Sequence, residues 1–347
     1  MENTRGLARR TWRSVAGPAG SLLACLFLCS GCSWPNLLIT PVGPSSSLEE
    51  KVLQKSTAGS NKKIVLIEVE GMLINEKAGG LLQPTENTLS RFVQQLDKAA
   101  ADEDVAALVL RVNSPGGTVT TSDTMYRAVL KWKEKTRKPV IASAQEMAAS
   151  GAYYVSCAAD RIVVHPTSVV GSVGVIFTVF DLSGTMAMFG LRSQAIKSGS
   201  LKDMGSPLHP MSERERQVIQ GMIDEYFATF MDVVRKHRLV KETPATRPAD
   251  YRDPAYTGLF SGRVWTGAKA AELGLADQTG TLDDAIDLAR TLSGASDAKV
   301  VHYKRPHGYS GSIYAASPGG AQVNVVNVEL PPTKSLLPTG FYYLWEP

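Results

Sequence analysis

Strand-like and helix-like patterns alternate along this chain from Lys62 onward. "KIVLIEVEGML" is a β-branched run typical of a buried strand, and "ENTLSRFVQQLDKAAAD" then places its apolar residues on one helical face. The runs "VAALVLRV", "PVIASA" and "RIVVHP" repeat the strand pattern with helical segments between them. Such an alternation over about 130 residues predicts right-handed crossovers and a mostly parallel sheet, which is an α/β fold.

The second half of the chain is predicted to be mainly helical. "DLSGTMAMFG" predicts a helix that leads into a strand at "LRSQAI". "MSERERQVIQGMIDEYFATFMDVVRKHR" predicts one long helix, because Ser212 and Glu215 have capping-box spacing and apolar residues follow at helical intervals. "TLDDAIDLARTL" predicts the helix that closes the folded body, which we place at residues 61–295.

The segments on either side of this body have a different composition. Residues 33–60 are rich in Ser, Pro and Gly, which predicts a linker. Residues 296–347 form a low-complexity tail that ends in "GFYYLWEP". Because aromatic side chains are unusual in solvated disorder, we expect this end to dock on the body or on a neighbouring subunit.

Residues 1–32 have the pattern of an export signal. Four arginines precede the apolar run "AGSLLACLFLC", and a run of about eleven residues is too short to span a bilayer comfortably. "LCSGC" resembles a lipoprotein signal in which Cys32 is lipidated, although Cys29 stands where that pattern has an aliphatic residue. Lipidation, plain cleavage and a retained anchor stay open, and each places the body outside the cytoplasm, at a membrane.

Charge and cysteine content exclude two classes of function. The formal net charge is +4, but residues 1–31 hold four Arg and one Glu, so without them it falls to +1. The basic character is therefore no argument for nucleic-acid binding. Three of the four cysteines, Cys25, Cys29 and Cys32, lie in residues 1–32. Cys157 alone remains, which excludes an internal disulfide or a cysteine metal cluster in the mature body.

Two glycine-containing motifs follow predicted strands. "NSPGG" comes directly after "VLRV", and its glycines permit backbone conformations that aim N–H groups at a developing negative charge. A tight strand-to-helix turn explains the same letters. Ser150, in "AASGA", begins a predicted helix at the carboxyl end of a strand, where ligands bind in open α/β sheets. A helix N-cap is the alternative role for this serine.

A serine nucleophile needs a base. None of the five histidines comes with an acidic motif that would recommend a Ser-His-Asp triad. A lysine can replace histidine when burial lowers its pKa from about 10.4 toward 7, which costs roughly 4 kcal/mol. "IKSGSLKDMGSP" offers Lys197 and Lys202, and solvated loop charges are the alternative reading of both.

Four motifs together resemble one enzyme family. "RVNSPGG", "AASGAYYVSCAADRIVVHPTSVVGSVGV", "KSGSLKDMGSP" and "GRVWTGAKAAELGLAD" occur in the order and spacing of the signal peptide peptidase A family of serine proteases. The resemblance covers residues 62–295 and implies a Clp-protease/crotonase-like spiral of ββα units with a helical oligomerisation arm. It makes residues 61–295 a protease domain of the single-domain bacterial type.

The resemblance also assigns roles to residues. Ser150 matches the nucleophile, and Lys202, in the "G-x-x-K" context of "GSLK", matches the general base in preference to Lys197. Ser172 matches a serine that orients the base, and Gly117 and Gly151 match the oxyanion N–H donors. Ala152 replaces the second glycine of the usual "SGGYY" motif.

The function implied by the resemblance is a membrane-associated serine endopeptidase with a Ser-Lys dyad. Its partners would be hydrophobic peptides such as remnant signal peptides, and it would form a membrane-tethered homo-oligomeric ring in the cell envelope. In such rings neighbouring subunits line each active site. No metal or organic cofactor is indicated.

Two other functions share this fold. A catalytically silent scaffold has no chemical need for Ser150, Lys202, Ser172 and both glycine motifs. A crotonase-like acyl-CoA enzyme does not use a Ser-Lys pair, and an export signal does not fit a soluble CoA substrate.

Overall fold

The computed structural model describes residues 47–75, 87–240, 250–253, 255–305 and 340–345. The predicted export signal with Cys32 and most of the predicted tail lie outside these residues. Within the described ranges, no helix combines the length and the apolar character needed to cross a bilayer.

Eleven strands and seven helices follow one another in these ranges. The strands are β1 (Glu49–Gln54), β2 (Lys63–Leu73), β3 (Val105–Thr118), β4 (Val140–Ala149), β5 (Arg161–Val164), β6 (Val169–Gly171), β7 (Ile176–Phe177), β8 (Val264–Thr266), β9 (Gln278–Thr279), β10 (Lys299–Lys304) and β11 (Phe341–Leu344). The helices are α1 (Thr88–Ala101), α2 (Val119–Thr136), α3 (Gly151–Ser156), α4 (Ser183–Met188), α5 (Glu213–His237), α6 (Gly267–Glu272) and α7 (Leu282–Ser293).

One large, mostly parallel sheet organises the molecule. Its main path runs β1-β10-β2-β3-β4-β5-β9, and every pair on that path is parallel except β1 with β10. β6 adds to β4 in parallel, whereas β11 lies antiparallel to both β3 and β7. The predicted α/β class is confirmed.

The central strands are buried on both faces, which explains their continuous apolar sequences. Alternate residues of β2 point to opposite sides, so Ile64 packs in a cluster with Ile286 of α7, while Val65 packs in the main core. The main core also includes buried residues of α1, α2 and α3, among them Phe92 of α1 and Trp132 of α2. The helices cover both faces and leave the carboxyl ends of the strands for the site.

Helix ends follow the predicted capping chemistry. In α5, the Ser212 hydroxyl accepts from the Glu215 N–H while the Glu215 carboxylate accepts from the Ser212 N–H, which confirms the predicted capping box. α7 begins with the same device at Thr281 and Asp284. These bonds satisfy N–H groups that a helix start leaves without intrahelical partners.

The structure differs from the sequence prediction at several segments. β3 continues through "NSPGG" instead of turning there, because Gly117 is paired with Leu73 on one side and Tyr343 on the other. "LRSQAI" forms no strand, and its residues are exposed. Residues 49–54, within the predicted linker, form β1, and residues 299–304, within the predicted tail, form β10. The aromatic end docks on the body as β11.

Candidate active site

Ser150 occupies the junction between β4 and α3. Its backbone has φ 51° and ψ −117°, a region that non-glycine residues rarely adopt. Two backbone bonds hold it there: the Ser150 N–H donates to Gly171 O at 2.7 Å, and the Tyr154 N–H donates to Ser150 O at 2.9 Å. Strain of this kind costs about 1–3 kcal/mol and is concentrated at functional sites.

The Ser150 hydroxyl makes none of the bonds that a helix cap would make. Its side chain accepts no capping hydrogen bond, although the residue stands at the N-cap position of α3. The Oγ atom is buried and has no hydrogen-bond partner among the described residues. An unpaired buried hydroxyl is costly, so the arrangement favours a reacting group over a cap.

Gly117 and Gly151 come together beside Ser150. A Cβ placed on Gly151 would lie 3.2 Å from the Gly117 nitrogen, and one placed on Gly116 would lie 2.7 Å from the Gly151 nitrogen. A Cβ on Gly117 would lie 2.0 Å from the Leu73 carbonyl oxygen. Only glycine permits these approaches, which bring two N–H groups into one small region.

Ser172 is held next to this group. β6 pairs with β4 so that Gly171 faces Ala149, and the Ser172 N–H donates to Arg263 O at 2.9 Å. Ser172 has φ 53° and is 6% exposed. In the described ranges, the two serines and Arg137 are the non-glycine residues with positive φ.

The two candidate lysines lie in a different environment. Lys202 is exposed, in a turn where its own N–H donates to Gly199 O at 3.1 Å. The Lys197 ammonium is paired with Asp203 and also donates to Ser200 O at 3.3 Å. Since Ser150 Oγ has no partner in the described part of the chain, neither lysine is hydrogen-bonded to it.

The tyrosines after Ser150 support the site from the core. Tyr153 donates to Leu275 O at 2.7 Å, and Tyr154 donates to an Asp123 carboxylate oxygen at 2.9 Å. Burial and the bond to Asp123 raise the pKa of Tyr154, and burial raises the pKa of the Cys157 thiol to about 12. These groups are inert near neutral pH and serve packing.

One group of potential metal ligands occurs among the described residues. Asp203, His209 and Glu215 place ligand atoms within 4.8 Å of one another. Glu215 is engaged in the capping box with Ser212, and Asp203 is paired with Lys197 and His209. The group therefore places the lysine-bearing loop beside the start of α5.

Two contributors to this region were not predicted as part of the site from the sequence. The Ser122 hydroxyl lies 2.3 Å from the position of a Cβ on Gly151, and it donates to Thr118 O at 3.0 Å. The Tyr343 carbonyl oxygen lies 3.0 Å from that same Cβ position. The aromatic composition of the tail was the signal for Tyr343, whereas nothing in the local sequence marks Ser122.

Comparisons with known proteins identify the family. The family model described as Peptidase family S49 matches residues 133–296. A candidate signal peptide peptidase, SppA, of Enterococcus faecium is 34% identical over 260 residues, which is 75% of this chain and 72% of that protein. A candidate protease of Methanocaldococcus jannaschii is 34% identical over 65% of this chain and 68% of its own length.

Longer relatives and solved structures match less completely. Protease 4 of Haemophilus influenzae is 31% identical over 66% of this chain but only 35% of its own length. A mutant of the 1510-N membrane-bound stomatin-specific protease, solved with a substrate peptide, covers 73% of this chain and 94% of its own, at 12% identity and a TM-score of 0.42. The identity to relatives covered over more than two thirds of their length shows that the chain belongs to peptidase family S49, a family of serine peptidases.

Proposed function

We propose that this chain is a membrane-associated endopeptidase in which Ser150 is the nucleophile and Lys202 the general base. Its substrates would be hydrophobic peptides such as remnant signal peptides. The observation that carries the proposal is the Ser150 hydroxyl, which is buried and has no partner among the described residues, at a positive-φ junction next to the backbones of Gly117 and Gly151.

The proposed mechanism uses these groups in order. Neutral Lys202 takes the Ser150 proton while Oγ attacks the peptide carbonyl, and the N–H groups of Gly117 and Gly151 stabilise the oxyanion. The protonated lysine then gives its proton to the leaving amine. The same base activates a water molecule that releases the acyl group, and Ser172 orients the lysine.

Because Lys202 is exposed, its use as a general base requires another group that covers it. A lysine in water is protonated near neutral pH, and lowering its pKa by about three units requires burial or a nearby cation. Several apolar side chains close to it in sequence are also exposed, among them Met188 at 85%, Phe189 at 76% and Ile196 at 100%. We therefore propose that a neighbouring subunit covers this segment and that Lys202 acts on the Ser150 of another copy.

The membrane and substrate parts of the proposal rest on other support. Residues 1–32 carry the export-signal pattern, and Cys32 is the candidate for lipidation. A relative named as a signal peptide peptidase shares 34% identity with this chain. Mass spectrometry of the membrane-extracted N-terminus distinguishes lipidation from plain cleavage and from a retained anchor.

The test is hydrolysis of a hydrophobic fluorogenic peptide by the full-length protein. Ser150→Ala and Lys202→Ala are expected to lose at least ~10³-fold in kcat/KM, because each removes a group on which the others depend. Lys197→Ala is the matched control and is expected to remain active. Activity that survives in Ser150→Ala would contradict the mechanism. Loss of activity in Lys197→Ala, with activity retained in Lys202→Ala, would identify Lys197 as the base. An assembled wild type that cleaves no peptide would favour the scaffold.

Co-assembly of two inactive variants tests the shared site. If Lys202 acts on a neighbouring Ser150, equal amounts of Ser150→Ala and Lys202→Ala chains in one oligomer restore about a quarter of the sites. A dyad within one chain restores none. Size-exclusion chromatography with light scattering on the mixture verifies that the two variants assemble.

A further inference from the structure

The indole of Trp265 lies against Gly171, next to the two serines of the candidate site. A Cβ placed on Gly171 would lie 3.0 Å from Trp265 Cδ1 and 3.7 Å from its Nε1. Gly171 has φ 106°, a conformation that favours glycine. The ring therefore occupies the space beside Gly171 that a side chain would need, and it limits how far this backbone can move.

Gly171 connects the two serines through the backbone. Its carbonyl oxygen accepts from the Ser150 N–H at 2.7 Å, and the residue that follows it is Ser172. β6, which ends at Gly171, pairs with β4 on one side and with β8 on the other. A shift of Gly171 would therefore move the backbone acceptor that holds Ser150 and the start of Ser172 together.

Arg263 supports this arrangement in two ways. Its carbonyl oxygen accepts from the Ser172 N–H at 2.9 Å. Its guanidinium lies over the Trp265 ring, with Cζ 4.3 Å from the ring centroid, which is within the range of a cation–π contact. One residue thus holds Ser172 through its main chain and the indole through its side chain.

The positive φ angles of the two serines make such support necessary. Ser150 has φ 51° and Ser172 has φ 53°. Residues in sparsely populated conformations keep them only where the surrounding structure over-determines them. β6 and β8 have three residues each, so few ladder bonds hold the end of β6. Packing of the Trp265 ring on Gly171 supplies the additional constraint.

The indole N–H contributes no hydrogen bond to this packing. Trp265 Nε1 is buried and has no hydrogen-bond partner among the described residues. Because an unpartnered buried donor is unfavourable, the ring acts here through its shape and its π face. Phenylalanine would keep an aromatic ring at this position and remove the unpartnered donor.

We propose that Trp265, supported by Arg263, is a positioning residue that fixes Gly171 and thereby the relative placement of Ser150 and Ser172. The inference rests on the proposed function, in which Ser150 is the nucleophile and Ser172 orients the base. Trp265 acts through Gly171 and takes no step in the reaction. A displacement of about 1 Å in the reacting groups lowers a rate by ~10²-fold, so loss of the ring acts on kcat and leaves KM nearly unchanged.

The test separates kcat from KM for a hydrophobic fluorogenic peptide, with the full-length, assembled protein. Trp265→Ala is expected to lower kcat at least ~10-fold with KM changed at most about two-fold, whereas Trp265→Phe stays within a few-fold of wild type. Arg263→Ala should lower kcat several-fold, and Arg263→Lys, which keeps a cation for the ring, should recover most of it. Trp265→Leu replaces the alanine variant if circular dichroism shows that Trp265→Ala does not fold.

Trp132→Phe is the matched control for a loss of stability alone. Trp132 Nε1 is also buried without a partner among the described residues, but this ring lies in the main core, on α2. Trp132→Phe is expected to lower the melting temperature and to keep the kcat of wild type. If kcat instead follows the melting temperature across the variants of both tryptophans, Trp265 has only a structural role and the inference is wrong.

Labelling of Ser150 by a fluorophosphonate gives a readout that needs no peptide. Ser150 Oγ forms a bond to phosphorus, fluoride leaves with its electron pair, and the hydroxyl proton passes to the base. Trp265→Ala is expected to reach the wild-type extent of labelling at least ~10-fold more slowly. Wild-type labelling rate and kcat in this variant would overturn the inference and leave the proposed function standing. A wild type that neither cleaves peptide nor reacts at Ser150 would refute both.

Discussion

The two regions that the proposed chemistry needs are built in opposite ways. The nucleophile region, residues 140–173, is almost entirely buried and is held by strand pairing on both sides of Ser150. The lysine segment, residues 178–211, has one short helix and is largely exposed. The strands thus build the region that holds the proposed nucleophile and oxyanion donors, whereas the proposed base, Lys202, is exposed among the described residues.

The difference has a physical reason. A hydroxyl nucleophile and two N–H donors need fixed geometry, which a sheet supplies, because its backbone bonds resist displacement. A lysine base needs a lowered pKa, and the described residues of the segment that carries Lys202 are largely exposed, so they do not exclude water from it. Assembly is one way to supply that burial at the moment when the site is formed.

Ion pairs give the largest expected contrast between the two regions. The Arg238 side chain is 6% exposed, bonds Asp277 at 2.6 Å and donates to Ala159 O at 3.2 Å. These bonds fix the end of α5 to the segments that follow α3 and precede β9. Arg238→Ala is expected to lower the free energy of unfolding by about 3 kcal/mol, because it removes the 2.6 Å ion pair of a partly buried carboxylate and leaves Asp277 the longer pair with Arg161, at 3.9 Å. Lys197→Ala, which removes the surface pair with Asp203, should leave the urea midpoint unchanged. Equal shifts in the two midpoints would remove the contrast.

Local sequence patterns predicted most of the nucleophile region. β-branched runs located the starts of β2, β3, β4 and β5 to within one residue but ended β3 and β4 several residues too early, and motif order selected Ser150 and the two candidate oxyanion glycines. The strand predictions succeed because strand burial leaves a recognisable pattern in the neighbouring residues. The roles assigned to these residues stay proposals for the activity assays above.

Nonlocal pairing accounts for what was missed. "LRSQAI" has strand-like letters, but it pairs with none of the described strands, so its backbone does not enter the sheet. "NSPGG" has turn-like letters, yet pairing with β2 and β11 keeps it extended. β3, one of the two strands that pair with β11, lies more than two hundred residues away from it in sequence. Single-sequence periodicity carries no information about register over that distance.

Backbone strain gives the second contrast. In the lysine segment the positive-φ residues are glycines, Gly190 and Gly205, whereas in the nucleophile region two serines, Ser150 and Ser172, share that conformation with Gly171. Ser150→Gly is expected to raise the free energy of unfolding by about 1 kcal/mol, since glycine relieves the positive-φ strain and loses part of that gain to chain entropy. Ser150→Ala keeps a Cβ and is the matched control, with little change in the urea midpoint. A glycine variant no more stable than the alanine variant would show that position 150 is unstrained.

Two histidines, one at the end of α5 and one in the lysine segment, give the smallest contrast. It appears as a dependence of the free energy of unfolding on pH. His237 ends α5 in contact with the Tyr126 hydroxyl at 2.7 Å, and burial, with Lys236, Arg238 and Lys133 nearby, lowers its pKa below 6.5. For His209, a hydrogen bond with Pro210 O and the charge of Asp203 raise the pKa above 6.5.

The signs of the two contributions to stability are opposite. The contribution of His237 is complete above pH 6.5 and is lost as the pH falls toward its lowered folded-state pKa, because the neutral ring is the one the fold accommodates. The contribution of His209 is complete below pH 6.5 and is lost as the pH rises through its raised pKa. Urea midpoints measured from pH 7.5 to 5 should therefore fall less in His237→Gln than in wild type, and fall more in His209→Gln. NMR titration of the two imidazoles should place them on opposite sides of 6.5, and a His237 that titrates above that value would contradict the burial of the α5 end.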